Sequence, residues 1–209
     1  NEYDSEKWHD VPPITDSLAN YRNFEKFLAF VLKQMEEILT RYGKIDILWL
    51  DGMYFRGVAD MHTEQVYAWI RSLQPEIVIN DRWSNIVNPD DPAGTGMRVG
   101  DFTTPFECTK PTYVPSKWWE HCDIWTSGGG GWGYDKTGTF RPCSWFFDHL
   151  VASRSLGGNF LPNVGPDGNG EMHPNYYKNM TEIARWMKHS RESVIGAGPS
   201  PGVERSNVM

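Results

Sequence analysis

Five short apolar segments, most of them separated by helical stretches, limit the folds open to this chain more than any other feature. The segments are residues 44–50, 76–80, 97–102, 119–125 and 159–164. The first ends in an almost continuous apolar run, as expected of a strand that is covered on both faces. Strands that alternate with helices are typical of an α/β domain with a parallel sheet. We therefore predict that these segments form such a sheet.

Four helical segments are predicted between and around the strands. From Asn20 to Tyr42, apolar residues recur at positions that fall on one helical face. Gly43 follows and can adopt the left-handed conformation that commonly ends a helix. The other helices are predicted at residues 63–73, 144–156 and 175–188.

Polar residues lie at or just beyond the C-terminal ends of the predicted strands. They are Asp51, Asp81 with Arg82, Asp101 with Glu107, and Asn163. Barrel enzymes take their catalytic groups from the C-terminal ends of several strands. A doubly wound sheet gathers its ligands at one switch point, and no G-x-G-x-x-G follows a strand here. The spread of polar residues therefore predicts an α/β fold of the (β/α)8 TIM-like barrel type.

This predicted barrel is incomplete. Five strands cannot close an eight-stranded barrel, and an open parallel edge leaves backbone donors and acceptors unpaired. We therefore expect about five βα units, with roughly the first three strands absent from the chain. Residues 1–209 are expected to form a single domain, the C-terminal portion of a barrel.

The composition of the chain argues against some classes of ligand and is compatible with sugars. A formal net charge of -7 argues against nucleic acid, because phosphate neutralisation requires a concentrated Lys/Arg surface. No stretch is apolar enough to span a membrane, and the three cysteines show no metal-ligand spacing. Aromatic residues make up 14% of the chain, which suits a cleft that covers the apolar faces of sugars but also suits an ordinary core.

Asp51 is the strongest single candidate for chemistry. Its carboxylate ends a buried strand, and Gly52 after it permits a sharp turn and close approach by a ligand. Trp49 lies on the same strand face, because side chains alternate along a strand, and could line the same pocket. The alternative is that Asp51 only caps the next loop.

A second carboxylate is needed if the reaction is glycoside cleavage, because one group attacks while another protonates the departing oxygen. Glu107 and Glu120 are the choices, each in an aromatic stretch with few charges. Either could equally be a buried hydrogen-bonding residue. Arg82 is expected either to bind a carboxylate or a substrate hydroxyl, or to form an internal ion pair with Asp81 or Asp101.

The glycine quartet and the histidines are predicted to have supporting roles. The quartet Gly128 to Gly131 lacks the Gly-Lys-Ser/Thr ending of a phosphate loop, and we expect a flexible loop near the site. The scattered histidines show no His-x-x-x-His spacing, so structural or solvent-exposed roles are expected for them. They include His62, His121, His149, His173 and His189.

Five motifs together resemble the catalytic domain of glycoside hydrolase family 29, the α-L-fucosidases. They are YGKIDILWLDG, VINDRW, GDFTTPFE, KWWEHC with a later WGY, and GGNFLPNVGPDGNG. The resemblance covers the chain from about Tyr21 to Gly196 and keeps the family's order. It implies a retaining exo-hydrolase that removes terminal α-L-fucose from glycans through a covalent glycosyl-enzyme intermediate, with no metal and no organic cofactor.

The resemblance also implies roles for individual residues. Asp51 matches the family's nucleophile, in a sheltered cup, and Trp49 matches its neighbouring tryptophan. Arg82 matches an arginine of the family's site. Glu107 matches the acid/base of many members, although TTPFE is one residue longer than the commonest form.

Glu120 is the reserve candidate for the acid/base, because the position of that residue varies within the family. Trp119, in the KWWEHC motif, is predicted to contact substrate together with Trp49 and Arg82. The predicted partner is a fucosylated glycan or oligosaccharide, with no nucleic acid and no membrane.

Two features of the family are missing from the sequence: the N-terminal His and Trp set that grips fucose, and a C-terminal β-sandwich. A homo-oligomer or a complementing chain would be one way to complete the site. Two alternatives remain open at this point: a fucose-binding or glycan-binding fragment without turnover, and a barrel glycosidase for another sugar.

Overall fold

A computed structural model of the chain describes residues 17–51, 61–83, 100–115 and 117–200. Within the chain, two compact units separate. One comprises residues 1–46 and 68–77, and the other comprises residues 47–67 and 78–209. None of the helices in the described ranges is both long and apolar enough to cross a bilayer.

The first unit contains helix α1, Ser17–Arg41. Its buried side chains share one face and are Phe24, Leu28, Met35 and Leu39. As predicted, Gly43 after the helix has a left-handed φ of 85°. The Gln74 side chain fixes this turn, since its amide nitrogen donates to the Leu39 carbonyl at 2.7 Å and its oxygen accepts from the Ile45 N–H at 2.7 Å.

The described part of the second unit contains five strands, and each strand pairing within its two sheets is parallel. They are β1 (Ile47–Leu48), β2 (Val78–Ile79), β3 (Phe102–Glu107), β4 (Trp118–Ile124) and β5 (Asn159–Asn163). β1 pairs with β2, and the other three form a sheet in the order β3-β4-β5. The parallel α/β arrangement is therefore confirmed. The described strands form these two small sheets, and the completeness of the barrel stays a prediction.

The third strand differs from its prediction. Residues 97–102 were expected to form it, but β3 begins at Phe102, and residues 97–99 lie outside the described part. Asp101 therefore precedes β3 instead of following a strand. Its N–H donates to the Ile79 carbonyl at 2.8 Å, and its carboxylate accepts from the Ile79 N–H at 2.8 Å. The sequence obscured the strand because Pro105 lies inside it.

The remaining helices are α2 (Thr63–Leu73), α3 (Cys143–Ser155) and α4 (Pro174–Ser190), followed by a short 3-10 turn at Arg191–Ser193. Each helix lies within two residues of its predicted bounds. The α4 helix begins at a proline that needs no hydrogen-bond acceptor, and its N-cap His173 accepts from the Asn175 N–H. A core forms around Trp125, Phe146, Phe160 and Ile183.

Strand β4 separates two environments, because successive side chains point to opposite faces. Its site face carries Glu120 and Cys122. Its helix face carries Trp119, His121 and Asp123, and the histidine on this face contacts Ser153 of α3 at 3.2 Å. The site described next is built on the site face.

Candidate active site

The candidate residues gather at the C-terminal ends of the first three strands. Asp51 follows β1 by three residues, Arg82 follows β2, and Glu107 is the last residue of β3. The three side chains meet, because Arg82 contacts both Asp51 and Glu107, as groups from several strand ends do in barrel enzymes. Gly52, which was predicted to permit a turn here, lies outside the described residues.

A single guanidinium joins the two predicted catalytic carboxylates. The Arg82 Nη1 donates to Asp51 Oδ1 at 3.2 Å, and its Nη2 donates to Glu107 Oε2. The arginine side chain is only 10% exposed. Of the alternatives open for Arg82, the structure shows the pairing with these two carboxylates.

Three neighbours fix the arginine in place. Its Nε donates to the Thr104 hydroxyl at 2.6 Å, and the guanidinium carbon lies 4.8 Å from the centre of the Trp49 ring, a cation–π arrangement. The Cys122 sulfur lies 3.6 Å from Nη2. The guanidinium is therefore held on its edge and on its face.

An irregularity in β3 allows both Thr104 and Glu107 to reach the arginine. In strict alternation, residues three apart point to opposite faces. Thr103 pairs with Trp119 and Phe106 with His121, so β3 contains one more residue than β4 over this stretch. This bulge reverses the alternation at Pro105, which has no N–H to contribute to the ladder. It accommodates the longer TTPFE motif while Glu107 faces Arg82.

Burial shifts the pKa values of Arg82 and of two neighbouring side chains, Asp81 and Cys122. Burial lowers the pKa of its guanidinium, but contacts with Glu107, Cys122 and Asp51 outweigh this, and the net pKa is raised. Arg82 therefore stays a cation. Burial raises the pKa of the Asp81 carboxyl to about 6, against hydrogen bonds from Thr104 that lower it. Burial also raises the pKa of the Cys122 thiol to about 12, and its sulfur is not in a disulfide.

Both carboxylates are open to solvent although the arginine is not. The Asp51 side chain is 52% exposed and that of Glu107 is 41% exposed. A ligand can therefore reach both from the same side. The resemblance implied a sheltered Asp51, and the described residues alone do not enclose it to that degree.

Glu120 is placed differently from Glu107. Its residue is 8% exposed. One carboxylate oxygen accepts from the Trp49 indole N–H at 2.8 Å, and the other accepts from the Asn159 amide at 2.7 Å. Both oxygens of the reserve candidate thus have protein donors.

Trp119 is not brought to this cluster. Alternation along β4 places it on the helix face, opposite Glu120 and Cys122. It is buried, with its ring 5.0 Å from that of Phe106 in an edge-to-face contact. It also covers Gly158 so closely that a Cβ there would overlap the indole. The predicted substrate contact at Trp119 stays a prediction, and its packing explains its burial.

Asn80 is a residue that the sequence analysis missed. It is fully buried, and its amide accepts from the Leu50 N–H at 2.9 Å and donates to the Leu50 carbonyl at 2.8 Å. These two bonds fix the residue just before Asp51. The motif VIND indicates a polar side chain at a strand end. That Asn80 would bond the backbone of Leu50 could not be predicted without the pairing of β1 with β2.

The glycine-rich segment owes its composition to packing. A Cβ on Gly128 would overlap the Asp135 carboxylate, and one on Gly130 would lie 2.8 Å from the Asp135 Cα. The same carboxylate accepts from the Gly128 N–H at 3.1 Å. Close backbone approach accounts for these two glycines, and the flexibility of the loop stays a prediction.

Comparison with known sequences identifies relatives. A family model described as Alpha-L-fucosidase matches residues 2–192. The Alpha-L-fucosidase of Dictyostelium discoideum is 26% identical over 175 residues, which cover 81% of this chain and 35% of that protein. The Tissue alpha-L-fucosidase of Mus musculus is 23% identical over 199 residues, which cover 92% of this chain and 42% of that protein. The chain thus spans well under half the length of the curated relatives it matches.

Solved structures give the same picture. Alpha-L-fucosidase isoenzyme 1 from Paenibacillus thiaminolyticus superposes with a TM-score of 0.73 at 26% identity, covering 95% of this chain and 45% of that one. An alpha-L-fucosidase GH29 from Bacteroides thetaiotaomicron, trapped as a covalent intermediate with 2-fluoro-fucosyl fluoride, gives a TM-score of 0.70 at 23% identity. It covers 88% of this chain and 44% of that one. At 23% identity, the similarity to the Bacteroides structure shows a shared fold.

Proposed function

This chain belongs to the alpha-L-fucosidase family, and we propose that it supplies the two catalytic carboxylates of a retaining, exo-acting α-L-fucosidase. The observation that carries the proposal is the contact of Asp51 and Glu107 with the two terminal nitrogens of Arg82. Because the chain spans 35–42% of the length of these relatives, the proposal concerns its contribution to the activity of a larger protein or assembly.

In the first step, a carboxylate oxygen of Asp51 attacks the anomeric carbon of a terminal α-L-fucose. The glycosidic C–O bond breaks, and Glu107 gives its proton to the departing oxygen, which leaves fucose esterified to Asp51. In the second step, Glu107 takes a proton from water, whose oxygen attacks the same carbon and releases Asp51 as a carboxylate. Two inversions give net retention. No metal or organic cofactor takes part.

Arg82 has a different relation to the two carboxylates in each step. A protonated Glu107 cannot keep an ion pair with Arg82, so we expect substrate binding to open that contact before proton donation. The contact with Asp51 can persist until the ester forms. Opening of the Glu107 contact also frees Nη2 of Arg82 to donate to a substrate hydroxyl, the role that we propose for Arg82 alongside Trp49 in sugar binding.

The substrate class rests on the family. The relatives are named for α-L-fucosidase activity, and the trapped intermediate of the Bacteroides relative carries a fluorinated fucosyl group. We therefore propose a fucosylated glycan or oligosaccharide as the substrate. We also propose that a second copy of this chain or a complementing chain supplies the residues that complete the site.

The nucleophile is tested with Asp51→Gly in the active polypeptide or assembly that carries this chain. We expect hydrolysis of aryl α-L-fucosides to fall by about a thousandfold or more. Added azide should restore turnover and give β-fucosyl azide, because it attacks the substrate directly. Asp148→Ala, which removes an exposed carboxylate paired with Lys110, is the matched control and should retain activity. Near-normal hydrolysis by Asp51→Gly would rule out the assignment.

The acid/base is tested with Glu107→Ala. Loss should be large for poor leaving groups and small for dinitrophenyl fucoside, whose departing oxygen needs no proton. Azide should now give α-fucosyl azide, because it attacks the fucosyl ester on Asp51 from the other face. Equal losses for both leaving groups, without an azide product, would contradict the role.

A second candidate function is fucose or glycan binding without turnover. The 52% exposure of the Asp51 side chain favours it, because a nucleophile without walls cannot hold a sugar in the geometry that attack requires. Calorimetry of this chain with L-fucose and a panel of aryl glycosides separates the cases. Binding of fucose with no aryl release supports the binding function, and release from a different sugar supports another glycosidase.

A further inference from the structure

We propose that Glu120 is a positioning residue that fixes the Trp49 indole against Arg82, and that it does not act as the acid/base. This inference rests on the function proposed above, since it concerns the same carboxylate pair. It assigns a role to a buried carboxylate that the two-step reaction does not use.

The hydrogen bonds of Glu120 argue against proton donation to a substrate. A proton donor must come within hydrogen-bond reach of the departing oxygen. Both Glu120 oxygens are already bonded, one to the Trp49 indole and one to the Asn159 amide, and the residue is almost fully buried. Glu107, by contrast, has a side chain that is 41% exposed.

The position of Glu120 along its strand gives an independent argument. It is the third residue of β4 and pairs with Asn159, the first residue of β5. Glu107 is the last residue of β3. In barrel enzymes the reacting groups lie at the C-terminal ends of strands. Glu120 therefore lies below the catalytic edge, where a side chain supports the site from within.

The support passes through Trp49. An ionised carboxylate orients an N–H donor more strongly than a neutral acceptor does. The Glu120 oxygen lies 2.8 Å from the indole nitrogen, and the face of the same ring lies 4.8 Å from the Arg82 guanidinium carbon. Rotation of the indole would remove the surface on which the guanidinium rests. Asn159 fixes the other Glu120 oxygen, so the carboxylate itself cannot turn.

The first experiment uses this 209-residue chain and requires no turnover. The indole N–H signal of Trp49 is assigned in a proton–nitrogen spectrum with Trp49→Phe. In Glu120→Gln we expect this signal to move upfield and its hydrogen exchange to accelerate by about tenfold, because a charge-assisted bond becomes a neutral one. An unchanged Trp49 signal would overturn the proposal.

Two other tryptophans serve as internal controls. The buried indoles of Trp83 and Trp125 donate to the backbone carbonyls of Met61 and Arg141 at 2.9 and 3.0 Å. Their signals should stay in place in Glu120→Gln. If all the indole signals collapse, the variant has not folded, and Asn159→Ala is then used. It removes only the second anchor and should accelerate exchange at Trp49 by a smaller factor, whereas unchanged exchange would count against the proposal.

The second experiment measures activity in the assembly that turns over. Glu120→Gln should lower kcat/KM by about a hundredfold through misplacement of Arg82. The loss should be equal for good and poor leaving groups, with no azide product and an unchanged pH profile. Selective loss on poor leaving groups, with α-fucosyl azide formed, would make Glu120 the acid/base. If no assembly is active, the proposed function fails while the spectroscopic test of Glu120 still stands.

Discussion

Each of the two faces of β4 carries a polar network, and the network on the site face reaches carboxylates that are far more exposed than Asp123 on the helix face. On the site face, Glu120 leads through Trp49 to Arg82, and from there to two carboxylates that are about half exposed. On the helix face, His121 and Asp123 contact the buried side chains of Ser153 and His149. The comparison shows that polarity in a core does not itself mark a site. An active site needs a network that opens to a ligand.

The helix-face network illustrates this limit. His121 Nδ1 lies 3.2 Å from the Ser153 hydroxyl, and its Nε2 lies 3.6 Å from Asp123, which also lies 3.8 Å from His149. A serine, a histidine and an aspartate in this order have the composition of a nucleophilic triad. The Ser153 and His121 residues are 0% exposed, so no substrate can reach the hydroxyl. The role of this network is structural.

The largest expected difference is between one substitution in the network on each face of β4. Arg82→Met should lower turnover in the active assembly by about a thousandfold, because the carboxylates lose their shared cation. Ser153→Ala should leave turnover within about twofold but lower the unfolding free energy of this chain by about 1 kcal/mol, because it removes the hydrogen bond to His121. Comparable loss of turnover in both variants would remove the distinction.

Gly158→Ala tests packing on the helix face. The added methyl group would overlap the buried Trp119 ring, and we expect about 3 kcal/mol of destabilisation in urea unfolding. Gly168→Ala is the matched control, because no atom lies within 4 Å of its added Cβ, and it should change stability by less than about 0.5 kcal/mol. Equal effects of the two substitutions would mean that Trp119 does not pack as described.

His121 should make the helix face acid-sensitive. Burial lowers its pKa from 6.5 to about 4, with Asp123 opposing and His149 adding to the shift. Between these values the unfolded chain binds a proton that the folded chain does not. The contribution of neutral His121 to the free energy of unfolding is therefore fully present above pH 6.5. It should fall by about 3 kcal/mol as the pH drops to 4. In His121→Gln, urea unfolding at a series of pH values should show a correspondingly smaller loss.

Asp81, beside the site, should act in the opposite direction. Burial raises its pKa from 3.8 to about 6. Between these values the folded chain holds the proton. The contribution of Asp81 to the free energy of unfolding is therefore greatest below pH 3.8 and should fall by about 3 kcal/mol as the pH rises to 6. Asp81→Asn should remove this fall and leave the acid loss due to His121 in place. If the variant follows the wild-type pH curve, Asp81 is not the group responsible.

Much of the fold was predictable because its causes are local. Apolar spacing located α1 and the other helices within a few residues, and Gly43 marked a helix end. Strand β3 was misplaced, since Pro105 is an unfavourable strand residue whose effect was absorbed by a bulge that only pairing with β4 reveals. The packing of Trp119 on the helix face of β4 could not be predicted either, because a motif identifies a residue but not the face on which it lies.

The sequence by itself determined the alternation of strands and helices, the motifs of the alpha-L-fucosidase family, and the candidates Asp51, Arg82, Glu107 and Glu120. The tertiary structure decided how they combine. Arg82 joins carboxylates that are 31 and 25 residues away, and Glu120 holds an indole 71 residues away. Such contacts depend on strand register, where a shift of one residue turns a side chain to the opposite face. Helix and strand propensities arise between near neighbours, whereas this register is set only when distant segments pack.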